Sequence, residues 1–268
     1  MRRDDLPQLE ILSRLPEGRA ASDVPLLFVH GAYAGAWCWD EHFLPYFAAH
    51  GFASHAVSLR GHGGSPDRHL LDSYSIDNYV EDVSRAVATL DAPPILIGHS
   101  MGGFVVQKFL ERGEAVGAVL LSSVPPQGLM ASAFGLAMRK PGLMSEFNKL
   151  LGGGRVDGDA LREALFHQPV DDADLKRYLR ASQSESHRAL WDMSLFNLPR
   201  VASVAAVPLL VIGTQYDELI PSGQVEMTAR TYGVDAHILP DLGHGMMLER
   251  GWQRVAELVL GWLRAQDL

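Results

Sequence analysis

Short unbroken apolar runs alternate with longer segments of helical spacing over most of the chain. Val24–Val29, Ala53–Leu59, Pro94–Ile97, Val116–Leu121, Val207–Ile212 and Ala236–Leu239 are the strand candidates. Their apolar residues are continuous rather than alternating, which predicts strands covered on both faces. Between them the period becomes that of an amphipathic helix. Over Asp77–Leu90, the residues Tyr79, Val80, Val83, Val87 and Leu90 fall on one side, and Asp91-Ala92-Pro93-Pro94 ends the pattern. Met101–Arg112 and Gln253–Ala265 follow the same rule. Strand and helix in alternation predict an α/β fold with a mostly parallel sheet and helices on both faces.

The alternation breaks after the fourth of these strands. From Pro125 to about Val204 there is no strand pattern, only helical segments rich in Met, Phe and Leu. Pro141-Gly142, Gly152-Gly153-Gly154 and Pro169 divide them. A connection of that length does not stay structureless in a compact domain. The expectation is a helical cap over 125–204, inserted into a core built from 1–124 and 205–268.

Composition narrows the function classes. The chain has 268 residues, 47% hydrophobic and 21% charged, as ordinary globular proteins do. Its 32 acidic and 23 basic residues leave a net charge of −9, which repels nucleic acid and anionic membrane surfaces. No apolar run approaches the ~20 residues that span a bilayer. The start, Met1-Arg2-Arg3-Asp4-Asp5 with Pro7, has no apolar core, so no signal peptide is expected. The single cysteine, Cys38, excludes an internal disulfide and fits a reducing compartment. The eleven histidines show no metal-ligand spacing. A cytoplasmic protein with no metal or cofactor is expected, with a homodimer as the candidate assembly.

The strongest chemical signal is Gly98-His99-Ser100-Met101-Gly102, between a strand and a helix. This is G-x-S-x-G in the setting where a sharp turn lifts a serine hydroxyl above the sheet edge. A serine needs a base, and the base needs an orienting acid. Asp217 follows the fifth candidate strand and His244 the sixth, in the chain order this arrangement uses. Glu218 and Asp241 are the alternative acids. Asp217 is preferred because it sits closest to a strand end, and Asp241 is only three residues from His244. Two backbone N–H donors for an oxyanion are expected at Met101 and Ala32. His30, His62 and His99 are expected to be structural, and Cys38 a buried apolar residue. Candidate substrate contacts are Tyr33, and in the cap Met130, Phe134, Met138, Met144, Phe147 and Trp191, because methionines and aromatics suit an adaptable apolar wall. Gly152-Gly153-Gly154 is a candidate hinge.

These motifs, with Arg60-Gly61-His62-Gly63 and Gly243-His244, resemble the α/β-hydrolase superfamily over nearly the whole chain. The resemblance implies an eight-stranded sheet, its first two strands near Leu9–Arg14, a cap, and a Ser-Asp-His triad. His30-Gly31-Ala32-Tyr33-Ala34-Gly35-Ala36-Trp37-Cys38-Trp39 looks like the branch of plant methylesterases and hydroxynitrile lyases. The lyases of that branch have threonine where Gly31 stands and lysine after the catalytic histidine, where this chain has Gly245. The reading is a serine hydrolase of small, mostly apolar carboxylic esters. The alternatives are a C–C bond hydrolase or lyase on the same triad, or a ligand-binding protein that keeps the fold without the activity.

Overall fold

A computed structural model describes residues 8–18, 20–142, 145 and 158–266. Seven strands form one sheet: β1 (Ile11–Arg14), β2 (Leu26–Val29), β3 (Ser54–Val57), β4 (Ile95–His99), β5 (Gly117–Leu121), β6 (Leu209–Thr214) and β7 (Ala236–Leu239). Their spatial order is β1-β3-β2-β4-β5-β6-β7. Only β1 is antiparallel, pairing Ile11 with Val57 and Arg14 with Ser54 at the sheet edge. The remaining pairs are parallel.

The described sheet therefore has seven strands rather than eight. Leu9–Arg14 supplies one strand, not two, because so short a stretch cannot hold two strands and the turn between them. The six strands expected from apolar runs are all present, each within about two residues of its expected limits.

Both faces are covered, as continuous apolar runs require. Leu27, Val29, Leu96, Leu120 and Val211 point to one side. There they meet α3 (Ile76–Val87), α4 (Met101–Phe109) and the later helix Ser222–Tyr232. Leu26, Phe28, Ile95, Ile97, Leu121 and Ile212 point to the other side. They meet α1 (Trp37–Asp40), α2 (Phe43–Ala49) and the final helix Trp252–Ala265. At about 0.8 kcal/mol per buried methylene, these two layers dominate the stability of the fold. Helix α3 starts with a capping box, in which Ser75 accepts from Asn78 N–H and Asn78 Oδ1 accepts from Ser75 N–H.

Between β5 and β6 the described residues contain no strand. They form α5 (Met130–Arg139), α6 (Gly158–Leu165), α7 (Asp172–Ala181) and α8 (His187–Trp191). The helix after β6, Ser222–Tyr232, is α9, and Trp252–Ala265 is α10. No helix of the described residues is long and apolar enough to cross a membrane.

Candidate active site

Because β2, β4, β6 and β7 run parallel, the loops at their carboxyl ends open on one edge of the sheet. That edge is where open α/β sheets bind ligands. It receives Ala32 and Tyr33 after β2, Ser100 after β4, Asp217 after β6 and His244 after β7.

Ser100 sits at φ 52°, ψ −117°, between the last residue of β4 and the first of α4. Such a conformation is strained for a serine and persists only where the surroundings enforce it. Here Ser100 N–H donates to Leu121 O at 3.0 Å. The flanking glycines are required by close approach. A Cβ at Gly98 would lie 2.6 Å from Gly102 O, and one at Gly102 would collide with the carbonyl oxygens of Val29 and His30. The turn therefore packs directly on β2.

His244 is buried, and its Nδ1 lies 2.8 Å from Asp217 Oδ2. The other oxygen of that carboxylate, Oδ1, accepts from Leu219 N–H at 2.9 Å and Ile220 N–H at 2.7 Å. Asp217 is thus oriented by its own turn before it meets the imidazole. The two alternative acids lie elsewhere. Glu218 pairs with Lys140 at 3.1 Å. Asp241 occupies a left-handed turn position at φ 58°, and its carbonyl accepts from Gln168.

Ser100, His244, Gly31, Ala32 and Tyr33 all line one cavity of about 530 Å³. Met101 is fully buried beneath it at the start of α4. Trp37 and Cys38 supply the core side of the cavity, and Leu161, Leu165, Phe166, Leu175, Tyr178 and Leu179 the opposite side. Trp37 stacks on Tyr178 across that boundary, with ring centroids 5.8 Å apart. Burial pushes the Cys38 thiol up, which keeps it protonated and apolar in character.

The three other histidines near the site are buried and hydrogen-bonded. His30 touches Gly31 O and Leu59 N, and His62 touches Glu185 and Arg60 O. His99 Nε2–H donates to His244 O at 2.9 Å, joining the serine turn to the histidine loop. Burial, then the neighbouring His244, lowers the His99 pKa well below its usual value, so it acts as a neutral donor.

The substrate contacts expected in the helical stretch fall elsewhere. Met130, Phe134 and Met138 are exposed on one stripe of α5, the last two at 70%. The opposite side of that helix, Ser132 and Leu136, is the buried one. Trp191 is exposed beside Phe196. None of these four lines the cavity. Met144, Phe147 and the Gly152–Gly154 run lie outside the described residues. The walls come instead from α6 and α7, where Leu161 and Leu165, then Leu175 and Leu179, repeat at four-residue spacing. That spacing was readable, but it is shared by any helix that packs on a core. Among the described residues, no group of three or more His, Cys, Asp or Glu side chains could hold a metal ion.

The parallel sheet, the strained serine between β4 and α4, and the Asp217–His244 pair together define the alpha/beta hydrolase class. The chain belongs to this family, whose pattern matches residues 26–258. It is 39% identical over 101 residues to the pFDCC methylesterase MES16 of Arabidopsis thaliana, covering 35% of this chain and 36% of that one. The chain thus matches only about a third of that methylesterase's length. A monoacylglycerol lipase of Mycolicibacterium smegmatis is 27% identical over 258 residues, 89% of this chain and 87% of the lipase. The fold is shared with an esterase from Exiguobacterium antarcticum, at TM-score 0.70 and 17% identity over 97% of both chains. It is shared equally with a bromoperoxidase from Bacillus anthracis, at TM-score 0.73 and 18% identity over 97% of both chains.

Proposed function

We propose that the protein is a serine esterase that cleaves small, mostly apolar carboxylic esters through an acyl-enzyme. The observation that carries this reading is that Ser100 and the Asp217-held His244 open onto one largely apolar cavity. His244 takes the Ser100 proton as Oγ attacks the ester carbonyl, and Asp217 keeps the imidazole proton on Nδ1. Ala32 and Met101 N–H groups receive the oxyanion, and the dipole of α4 adds to them. His244 then returns the proton to the leaving alcohol, and water enters to release the acid. Residues 125–204 act as a cap over the core of 1–124 and 205–268, and Tyr33 contributes to the substrate wall. The ester chemistry of the methylesterase and lipase relatives supports this reading.

Lyase chemistry of the branch fits the site poorly. A Cβ at Gly31 would lie 2.9 Å from His99 Nδ1, and a Cβ at Gly245 would lie 2.7 Å from Phe166. A threonine or a lysine at those places would displace the histidine or the cavity wall.

The test is a series of p-nitrophenyl esters from acetate to dodecanoate, with a fluorophosphonate label. Wild type should hydrolyse the shorter members and take up one label, while Ser100→Ala does neither. Equal labelling of Ser100→Ala, or a wild type inert to every ester, overturns the reading.

A further inference from the structure

Behind the oxyanion loop lies a buried chain of polar groups that the reaction steps do not use. His30 is fully buried, and its pKa is lowered to about 3, first by burial and then by His62 beside it. Its Nδ1 is 2.8 Å from Gly31 O and its Nε2 is 3.1 Å from Leu59 N. A carbonyl only accepts and a backbone N–H only donates, so His30 is the neutral tautomer protonated on Nδ1. Gly31 O and Ala32 N–H belong to one planar trans peptide and point in opposite directions. Holding the carbonyl toward His30 therefore turns Ala32 N–H away from it.

The following peptide groups are held by residues from the cap. Tyr33 N–H donates to Glu185 Oε2 at 3.4 Å, and Tyr33 O accepts from Gln183 N–H at 3.0 Å. Tyr33 itself is at φ 65°, a conformation that side chains other than glycine rarely adopt. Gln183 also bonds the neighbouring glycine loop, through Gly61 O at 2.6 Å and Gly63 N–H at 3.0 Å.

Glu185 is buried among donors. Tyr79 Oη–H donates to it at 2.7 Å, Ser186 N–H at 2.7 Å and His62 Nε2–H at 3.0 Å. His62 Nδ1 lies 3.1 Å from Arg60 O, so both its ring nitrogens face acceptors and both carry protons. Burial is the largest influence on His62 and lowers its pKa, but the Glu185 charge and the hydrogen bonds to Glu185 and Arg60 O together raise it above its usual value. Burial alone would raise Glu185, and His62 with the hydrogen bonds brings it below its usual value. The two form a closed ion pair on the side of the loop away from the substrate, and neither lines the cavity.

We propose, on the esterase reading of this site, that Glu185 and His62 are positioning residues for the oxyanion hole. Glu185 holds Tyr33 N–H, His62 holds Glu185, and the loop so fixed presents Ala32 N–H to the developing oxyanion. Because segment 182–186 comes from the cap, seating the cap and aligning the oxyanion hole become one event. An ester binding in the ground state asks little of this alignment, whereas the tetrahedral intermediate depends on it.

The experiment compares wild type with Glu185→Gln and with the charge-neutral Glu185→Gln/His62→Gln, which removes the ion pair without leaving a buried unpaired charge. Active sites are counted by stoichiometric fluorophosphonate uptake. Then kcat per site and KM for p-nitrophenyl butyrate are measured, with the affinity for an alkylboronic acid that forms a tetrahedral adduct on serine. Losing one oxyanion donor outright costs about 10²–10³ in kcat, so misplacing one should cost about 10- to 100-fold. The expected result is that loss in kcat, an equal loss in boronate affinity, and KM within about threefold of wild type. Unchanged kcat per site and boronate affinity, with only a lower melting temperature, overturns the positioning role and leaves the esterase standing. A wild type that neither turns over esters nor takes up the label overturns the esterase reading, and this role with it.

Discussion

Asp217→Asn tests the site most sharply, because the surrounding hydrogen bonds dictate how the new side chain must sit. Oδ1 of Asp217 accepts two backbone N–H donors, from Leu219 at 2.9 Å and Ile220 at 2.7 Å. An asparagine can satisfy both only by placing its oxygen there. The opposite rotamer would aim its NH₂ at two donors, at about 1–3 kcal/mol for each buried group left unpaired. The amide NH₂ must therefore face His244 Nδ1, where the carboxylate Oδ2 now lies at 2.8 Å. To accept that hydrogen bond, Nδ1 gives up its proton, and the imidazole carries it on Nε2, the nitrogen that receives the Ser100 proton in the proposed mechanism. The imidazole then cannot take the serine proton. The expected loss in kcat is about 10⁴, or about 5.5 kcal/mol of transition-state stabilisation. The turn keeps both of its hydrogen bonds, so the melting temperature should move by only about 2 °C, less than 1 kcal/mol in a chain of this size. Initial rates on p-nitrophenyl butyrate and thermal melts by circular dichroism measure both. A kcat within tenfold of wild type would refute the reasoning, as would normal activity here with loss in Glu218→Gln or Asp241→Asn.

Three further outcomes follow from the same geometry. In the ester series, kcat/KM should rise about fourfold per carbon, from about 0.8 kcal/mol per buried methylene, until the cavity is filled. Leu179→Ala should move that break to longer acyl chains and Leu179→Trp to shorter ones, because Leu179 lines the wall. An unmoved break would exclude that wall. Gly102→Ala forces a Cβ into the backbone carbonyls of Val29, the last residue of β2, and of His30 just after it, which are not the ends of flexible side chains and cannot yield cheaply. It should cost about 3 kcal/mol and lower the melting temperature by about 6–12 °C, and a shift under 2 °C would contradict the close approach. The Glu185–His62 pair, with His30, Tyr79 and Arg68 also facing it, should shape stability against pH. Glu185 is held below its ordinary 4.5, so its contribution is full above that value and fades as pH falls through the lowered pKa. His62 is held above its ordinary 6.5, so its contribution is full below that value and fades as pH rises through the raised pKa. The stability difference between wild type and Glu185→Gln/His62→Gln should therefore be greatest between about pH 4.5 and 6.5. A difference that keeps growing toward pH 9 would refute the charge assignment.

The parts of this protein legible in the sequence are those whose cause is local. A buried parallel strand must be apolar throughout, so Leu26–Val29, Ile95–His99 and Leu209–Thr214 stand out without knowledge of their neighbours. The serine turn needs small residues at fixed offsets, which is why Gly98 and Gly102 flank Ser100. Asp217 and His244 could be singled out because parallel strands send all their carboxyl ends to one edge, so each residue needed only its place after a strand.

What the tertiary structure alone decided is which side of each helix between β5 and β6 faces inward and which distant groups meet. Helix α5 carries apolar residues on two sides, and only its docking shows that Leu136 is buried while Met130, Phe134 and Met138 are not. Glu185 lies in a short polar run, Ser182 to Ser186, with nothing nearby in sequence to mark it. Its partners His62, Tyr79 and Tyr33 stand more than a hundred residues earlier. Periodicity records whether a residue prefers water or the interior, and turn chemistry records which backbone angles it tolerates. Neither carries the identity of a hydrogen-bond partner across such a separation, because that contact exists only once the segment between β5 and β6 packs against the rest of the fold.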